Sequence, residues 1–133
     1  MANHLPRMAN YQYIKTGKIT EKWLNYNDFQ YDKIMSDYDG PAYSHRFPAY
    51  KYEGTTVLDA VITIWPSEDG SDNVIRVNCY EHNTRNYFAR FYYWEFGQDN
   101  EIMSIINRKI EHRMNDLGID IIIPEDSFNG IKE

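Results

Sequence analysis

An uninterrupted alternating run, TTVLDAVITIW, constrains the fold more than any other feature of the sequence. Successive side chains of a β-strand point to opposite faces, so the run predicts a strand that ends at Trp65. One face of this strand is wholly apolar: Leu58, Ala60, Ile62 and Ile64. The opposite face mixes polar and apolar side chains: Asp59, Val61, Thr63 and Trp65. The apolar face is expected to line a core.

The segments around this run predict an antiparallel meander. A polar turn at 66–73 leads into a second alternating strand at 74–82, and a turn at 83–86 leads into YFARFYYWEF, which predicts a third strand. The second strand would turn three side chains inward: Ile75, Val77 and Cys79. The segment at 41–52 predicts an edge strand or two short strands, because Pro48 cannot donate to a sheet ladder.

Helical periodicity precedes the predicted sheet. The region from Thr20 to Asp37 predicts helix, broken near Asn27, with Thr20 as its N-cap. Asn27 followed by Gln30 repeats a capping-box pattern and would start a second helical segment. The side chains at helical spacing would face the core: Trp23, Leu24, Tyr31, Ile34 and Met35.

A second helix follows the predicted sheet. It would start at Asp99 or Asn100 and end before Gly118, a natural residue for the position after a helix. Its apolar stripe contains Ile102, Met103, Ile106, Ile110, Met114 and Leu117. The segment from Ile119 to Ile123 predicts a short buried strand that Pro124 stops.

Together these elements predict the fold class α+β. The expected architecture is an antiparallel sheet of about four to five strands, with an N-terminal helical region and one C-terminal helix packed on one face. Residues 1–133 are expected to form a single domain, within which residues 1–10 and 125–133 would be flexible.

The composition narrows the cellular setting. The chain has 14 Lys plus Arg against 20 Asp plus Glu, a net charge of −6, which argues against general duplex DNA binding. No apolar run suits a membrane helix, and the first residues lack the apolar core of a signal peptide. The lone Cys79 fits a reducing compartment. A cytoplasmic protein is therefore expected, in the host cytoplasm if a phage encodes it.

The outward face of the predicted meander is the first candidate site. It would present Trp65, Arg76, Tyr80, His82, Phe88, Arg90, Tyr92 and Trp94. The last predicted strand is apolar on its other face too, which a sheet open to water on one side does not need. This excess indicates a docking surface, and two structural explanations stay open: cover by the chain's own termini, or a homodimer interface.

Two acidic clusters form the second candidate site. Four carboxylates lie near the first helix: Asp28, Asp32, Asp37 and Asp39. Three more lie in the turn between the predicted strands: Glu68, Asp69 and Asp72. Such clusters steer association with a basic partner and can imitate a phosphate backbone, although solvated helix and turn residues would look the same. Neither segment has the spacing of an EF-hand, so calcium is not expected.

Residues able to perform chemistry are few. Cys79 and His82 would supply two metal ligands where a structural zinc site needs four, so no metal and no cofactor is expected. His45, His82 and His112 offer acid–base groups for RNA cleavage, but their spacing does not force them together. The sequence contains no phosphate-binding glycine loop and no nucleophile elbow. The protein is therefore not expected to be an enzyme.

These observations favour a small acidic inhibitor that occludes or mimics nucleic acid at a basic groove of a partner protein or nucleoprotein complex. Such chains are common among proteins of phages and mobile elements, including anti-CRISPR and immunity proteins, which is an analogy of class. Two alternatives are a single-stranded nucleic-acid-binding module with an aromatic and arginine sheet face, and a small His-dependent ribonuclease. The expected partner-binding residues are Trp65, Tyr80, Phe88, Arg90, Tyr92, Trp94, Asp28, Asp32, Asp37 and Asp39.

Overall fold

The chain has an α+β fold built on a four-stranded antiparallel sheet, as predicted. A computed structural model describes residues 11–92 and 101–122, without the side chains of residues 37–39. In chain order the elements are β1 (Gln12–Ile14), α1 (Glu21–Tyr26), β2 (Gln30–Tyr31), α2 (Lys33–Asp39), β3 (Tyr43–Tyr52), β4 (Thr55–Trp65), β5 (Val74–Glu81), α3 (Ala89–Tyr92), α4 (Glu101–Leu117) and β6 (Asp120–Ile122). The four-stranded sheet has the order β2-β3-β4-β5, and β1 and β6 form a separate two-stranded sheet.

Strands β3, β4 and β5 form the predicted meander. Their register places Arg46, Val61 and Asn78 side by side on one face and His45, Ile62 and Val77 on the other. The register of β3 shifts around Pro48, as expected where a proline interrupts a ladder. Strand β2 adds two residues beside the start of β3, so β3 is an edge strand for most of its length in the described structure.

The face that contains His45, Ile62 and Val77, which we call the first face, carries the core. The predicted core residues of β4 are all buried: Leu58, Ala60, Ile62 and Ile64. Helix α4 covers this face with its apolar stripe, and five of its predicted residues are buried: Met103, Ile106, Ile110, Met114 and Leu117. Leu24 of α1 and the fully buried ring of Phe91 belong to the same cluster. One continuous core therefore joins the sheet to α1, α3 and α4.

The other face, which contains Arg46 and Val61 and which we call the second face, is buried along β4 as well. The expectation that the meander presents Trp65 on an open outward face is therefore wrong. Trp65 is 5% exposed, and its indole N–H lies 3.3 Å from the Met35 carbonyl oxygen of α2. The guanidinium of Arg76 lies 5.9 Å from the Trp65 ring. A helix end and a neighbouring long side chain therefore cover the tryptophan from two sides.

The N-terminal helical region is two short helices with β2 between them. The break near Asn27 and the Thr20 cap are confirmed, since Thr20 Oγ1 accepts from the Trp23 N–H at 3.1 Å. The capping box from Asn27 to Gln30 is wrong. Asn27 ends α1, and Asp28, at φ 64°, turns the chain toward β2. Asp32 caps α2 instead, and its Oδ1 accepts from the Met35 N–H at 3.0 Å.

Tyr31 and Ile34, predicted to face the core, are exposed. Their predicted placement assumed one continuous helical phase from α1. Because β2 separates the two helices, that phase does not extend to Tyr31 or Ile34.

The predicted strand YFARFYYWEF is wrong in its described part. After a bridge between Tyr80 and Tyr87, the chain leaves the sheet edge and forms α3. The hydroxyl of Tyr92 then returns to that edge, where it accepts from the Cys79 N–H at 3.1 Å and donates to Asn78 Oδ1 at 2.9 Å. A tyrosine hydroxyl therefore holds a backbone position that a further strand would occupy. The remainder, from 93 to 96, lies outside the described residues.

The C-terminal elements follow the prediction with one correction. Helix α4 ends at Leu117, and Gly118 follows with φ 70°, a backbone conformation that glycine adopts readily. The predicted strand after it pairs with β1 in the separate two-stranded sheet. Ile119 is buried and Ile121 packs against the core, but Ile122 is exposed, so the strand is only partly buried. Within the described ranges, no helix is both long and apolar enough to span a membrane.

Truncation of the core at Ile62 should destabilise the protein strongly. Ile62 is fully buried in the central strand, so Ile62→Ala should lower the free energy of unfolding by about 2–5 kcal/mol through lost burial and a residual cavity. Urea denaturation measures this change. Ile122→Ala is the matched control, since Ile122 is 44% exposed, and an equal loss in both variants would contradict the assignment of the core.

Removal of one hydroxyl should test the edge contact of Tyr92. Tyr92→Phe leaves the Cys79 N–H without its acceptor, and an unsatisfied buried donor costs roughly 1–3 kcal/mol. Thermal and urea unfolding should both show the loss. Tyr26→Phe, at an 86% exposed tyrosine, should change stability by less than about 0.5 kcal/mol. Equal effects would argue against the edge contact.

Candidate interaction groove

A groove of about 630 Å³ lies on the second face of the sheet. Its floor contains Ser44, Arg46 and Val61, which extend from β3 and β4. Asp28 and Asp32 lie at its β2 and α2 side, and Arg85 comes from the turn after β5. Tyr31, Lys33 and Ile34 also line it. We call this feature the second-face groove.

The buried carboxylate of Asp59 organises the basic end of the groove. It accepts from Arg46 Nε at 2.7 Å, from His82 Nδ1 at 3.0 Å and from the Asn83 N–H at 3.0 Å. Burial alone would raise the pKa of Asp59, but these hydrogen bonds and the Arg46 charge outweigh it and hold the pKa below its usual value. Asp59 is therefore an ionised anchor that joins β3, β4 and the turn after β5.

Arg46 is held on three sides. Besides Asp59, it donates from Nη2 to the Glu81 carbonyl oxygen at 3.0 Å, and its guanidinium lies 5.3 Å from the centre of the Tyr80 ring. Its side chain is nevertheless 30% exposed. A guanidinium that is fixed in this way loses little conformational freedom when it binds a further group.

Tyr80 supports a second cation. The guanidinium of Arg85 lies 5.6 Å from the Tyr80 ring centre, and Tyr87 stacks on Tyr80 with the ring centres 5.1 Å apart. Burial, with the neighbouring Tyr87, raises the pKa of Tyr80 to about 12, so the phenol is uncharged at neutral pH. Tyr80 itself is 3% exposed, so the expectation that the meander presents its ring on an open outward face is wrong. It holds the two arginines.

The opposite end of the groove is acidic. Asp32 Oδ2 accepts from Ser44 Oγ at 2.7 Å, and Ser44 Oγ lies 2.8 Å from Thr63 Oγ1. These hydrogen bonds fix the Asp32 carboxylate against the floor of the groove. Asp28 is exposed beside it. Asp28 and Asp32, predicted to share an acidic cluster, both line the groove, with β2 between them in the chain. Asp37 and Asp39 lie in α2, and their side chains are outside the described structure.

Two large exposed apolar side chains line the groove, and a third stacks on Tyr80 next to its basic end. Tyr31 is 60% exposed and Ile34 is 53% exposed at its α2 side, while Tyr87 is 59% exposed beside Arg85 and Tyr80. We call these three residues the groove rim. Tyrosine and arginine are the residue types that interfaces favour, and the groove brings them together with an exposed isoleucine.

The other predicted aromatic contacts do not form a docking strand. Phe88 is partly buried and packs against the core, and Arg90 is half-buried in α3. Tyr92 is bound to the edge of β5. Trp94 lies outside the described residues. The prediction of one aromatic strand face is therefore wrong for Phe88, Arg90 and Tyr92, because α3 replaces the strand that would have aligned them.

The described histidines lie in three different places. His45 is buried on the first face, His82 contacts Asp59 on the second, and His112 is exposed on α4 beside Asp116. Cys79 is buried, as predicted, and burial raises the pKa of its thiol to about 12. Among the residues that the structure describes, no three His, Cys, Asp or Glu side chains form a group that could hold a metal ion.

Sequence reasoning missed Arg46 and the rim residues Tyr31 and Ile34 as parts of a site. The alternation of β4 had already put Asp59 and Val61 on the second face. The missing signal was the register of β3 against β4, which brings Arg46 beside Val61. That register includes an irregularity at Pro48, which alternation alone does not reveal.

Comparisons with known proteins gave no match: no family model, no curated protein and no solved structure is significantly similar to this chain. The function is therefore argued from the geometry of the groove.

The buried His45 should make stability depend on pH. Arg113 Nε donates to His45 Nε2 at 3.0 Å, so the neutral ring carries its hydrogen on Nδ1, 3.3 Å from the Asp28 carbonyl oxygen. Burial and the Arg113 charge lower the pKa of His45 below 6.5. The unfolded chain therefore takes up a proton first, and stability falls as the pH drops from about 6.5 toward the folded-state value.

Urea denaturation at pH 7.5 and 5.5 tests this expectation. The wild type should lose more stability at pH 5.5 than His45→Gln does. His112→Gln is the control and should keep the wild-type difference, because His112 is exposed. A His45→Gln variant with the full wild-type pH dependence would contradict the assignment.

Proposed function

We propose that the protein is a non-catalytic macromolecular binding protein that docks on a partner protein through the second-face groove and its rim. The observation that carries this proposal is the rim itself. Tyr31 and Ile34 line the groove and are each more than half exposed. Tyr87 is 59% exposed and stacks on the Tyr80 ring, against which the guanidiniums of Arg46 and Arg85 lie. Exposed apolar side chains beside ordered guanidiniums are the typical anchors of protein interfaces.

The proposed partner is a basic protein or a nucleoprotein complex. The net charge of −6 favours attraction to a basic surface, and Asp28 and Asp32 bring two carboxylates to the groove. The finer proposal is inhibition: the bound protein would cover a nucleic-acid-binding groove of that partner. It is supported by the acidic charge and by the analogy with small inhibitors of phages and mobile elements.

A second candidate is a single-stranded nucleic-acid-binding module. Three guanidiniums pack on aromatic rings of one sheet face: Arg46 and Arg85 on Tyr80, and Arg76 on Trp65. These cations favour phosphate binding. The two rings are almost completely buried, however, so they offer little surface for stacking with a base. This candidate therefore ranks below protein binding. Ribonuclease activity gains no support from the separate positions of the described histidines.

Affinity capture with matched variants tests the proposed function. A partner retained by the wild type should be lost on Ile34→Ala and on Tyr87→Ala, with affinity of the purified pair reduced at least about tenfold in each variant. Tyr52→Ala is the control, since Tyr52 is 61% exposed but lies six residues beyond Arg46 along β3, about 20 Å away. Binding should weaken as salt concentration rises.

Three outcomes would contradict the proposal. Equal binding by the Ile34, Tyr87 and Tyr52 variants would remove the rim from the interface. Tight binding of a (dT)20 oligonucleotide without any captured protein would favour the nucleic-acid candidate. A doubled mass in solution that returns to the monomer value in Tyr87→Ala would assign the groove rim to a homodimer.

A further inference from the structure

Resting on the proposed function, we infer that the second-face groove recognises an extended partner segment with both signs of charge. An acidic side chain of the partner contacts Arg46 and Arg85, and a basic side chain contacts Asp28 and Asp32. The side chain between them points away from the sheet, because successive side chains of an extended segment point to opposite faces. This assignment names the chemistry of the docking segment.

The basic end has an unmatched positive charge. Asp59 forms its ion pair with Arg46, and among the described residues Arg85 has no carboxylate within ion-pair distance. Two guanidiniums therefore share the Tyr80 ring, and the buried Asp59 carboxylate forms an ion pair with only one of them, Arg46. A second carboxylate, brought by a partner, would receive charge-assisted hydrogen bonds from preorganised donors.

The acidic end has the reverse imbalance. Asp32 Oδ1 and Oδ2 accept from the Met35 N–H and from Ser44 Oγ, which are neutral donors. Within the described structure, neither Asp28 nor Asp32 has an ion-pair partner, although Lys33 lines the same groove. A lysine or arginine of the partner would therefore find two carboxylates that are already positioned.

The spacing of the two ends limits the docking segment. Ser44, which holds Asp32, and Arg46 are two residues apart on β3, about 7 Å along the strand. The Arg46 side chain extends away from Ser44, toward Asp59 and the Glu81 carbonyl oxygen, so the charged groups are farther apart than the two Cα atoms. Long side chains at positions i and i+2 of an extended segment project to the same face and can reach both ends.

The same charge pattern disfavours a uniform polyanion. A nucleic-acid strand that placed one phosphate at Arg46 and Arg85 would bring neighbouring phosphates toward Asp28 and Asp32. A wholly basic peptide would place one cation against the arginines. A segment of mixed charge avoids both repulsions, which is how interfaces select partners as well as bind them.

A panel of fluorescent octapeptides tests the inference. The central triplets are Lys-Leu-Glu, Glu-Leu-Lys, Glu-Leu-Glu, Lys-Leu-Lys and Gln-Leu-Gln, with identical Gly and Ser flanks. One of the two mixed-charge peptides should bind at least about tenfold more tightly than each of the three control peptides, Glu-Leu-Glu, Lys-Leu-Lys and Gln-Leu-Gln. In ¹⁵N-resolved NMR spectra of the protein, the chemical-shift changes caused by this peptide should be largest at Ser44, Val61 and Arg85.

Matched arginine variants assign the binding to the groove. Arg85→Ala should abolish the preference for the mixed-charge peptide, whereas Arg76→Ala should keep it, because Arg76 lies on the same face but does not line the groove. Equal binding of all five peptides, or equal binding by Arg85→Ala and the wild type, would overturn the inference. Stronger binding of a 12-nucleotide single strand than of any peptide would overturn it as well.

The outcome separates this inference from the proposed function. A captured partner that needs Ile34 and Tyr87, but whose docking segment contains no mixed-charge triplet, overturns the inference and leaves the proposed function standing. Equal capture by the Ile34, Tyr87 and Tyr52 variants overturns the proposed role of the rim, whereas selective binding of a mixed-charge peptide to the groove still supports the inference.

Discussion

The ionised carboxylate of Asp59, buried in the central strand, is the interaction on which the second face depends. A charge in that position is costly unless donors surround it, and Arg46, His82 and the Asn83 N–H surround it from three segments of the chain. The same contacts fix the basic end of the groove. Stability and surface geometry are therefore linked at Asp59, because Arg46 helps to satisfy the buried charge and the carboxylate in turn fixes the orientation of Arg46.

Hydrophobic periodicity was sufficient to predict the elements that have one regular buried face. The alternation of β4 and the stripe of α4 appear in the structure at the predicted places, because each pattern needs one buried face. The sequence YFARFYYWEF misled for a physical reason. Alternating aromatic residues suit a strand, but Phe91 is buried in the core and the Tyr92 hydroxyl binds the backbone of β5. These tertiary contacts override the local preference for a strand, and the sequence pattern alone does not show them.

The candidate site was predictable in part. Asp28 and Asp32 were predicted to belong to one acidic cluster near the first helix. Both line the groove, but the turn at Asp28 and strand β2 bring them there. Arg46 and Tyr87 were not recognised, because their roles depend on which strands pair and on how the turn after β5 closes. Tyr80 and Trp65 were assigned to the correct face but not to the correct depth. Side chains from neighbouring segments cover them, which a single strand's alternation does not report.

The short length of β2 has a consequence for how this protein behaves at high concentration. Beyond Ser44, the outer margin of β3 has no strand beside it in the described structure, and such a margin invites recruitment of other chains. Pro48 interrupts the repeating N–H row there, the register is irregular on both sides of Tyr50, and Lys51 adds charge. The irregular edge of β3 therefore disfavours the edge-to-edge pairing of whole molecules that leads to fibrils.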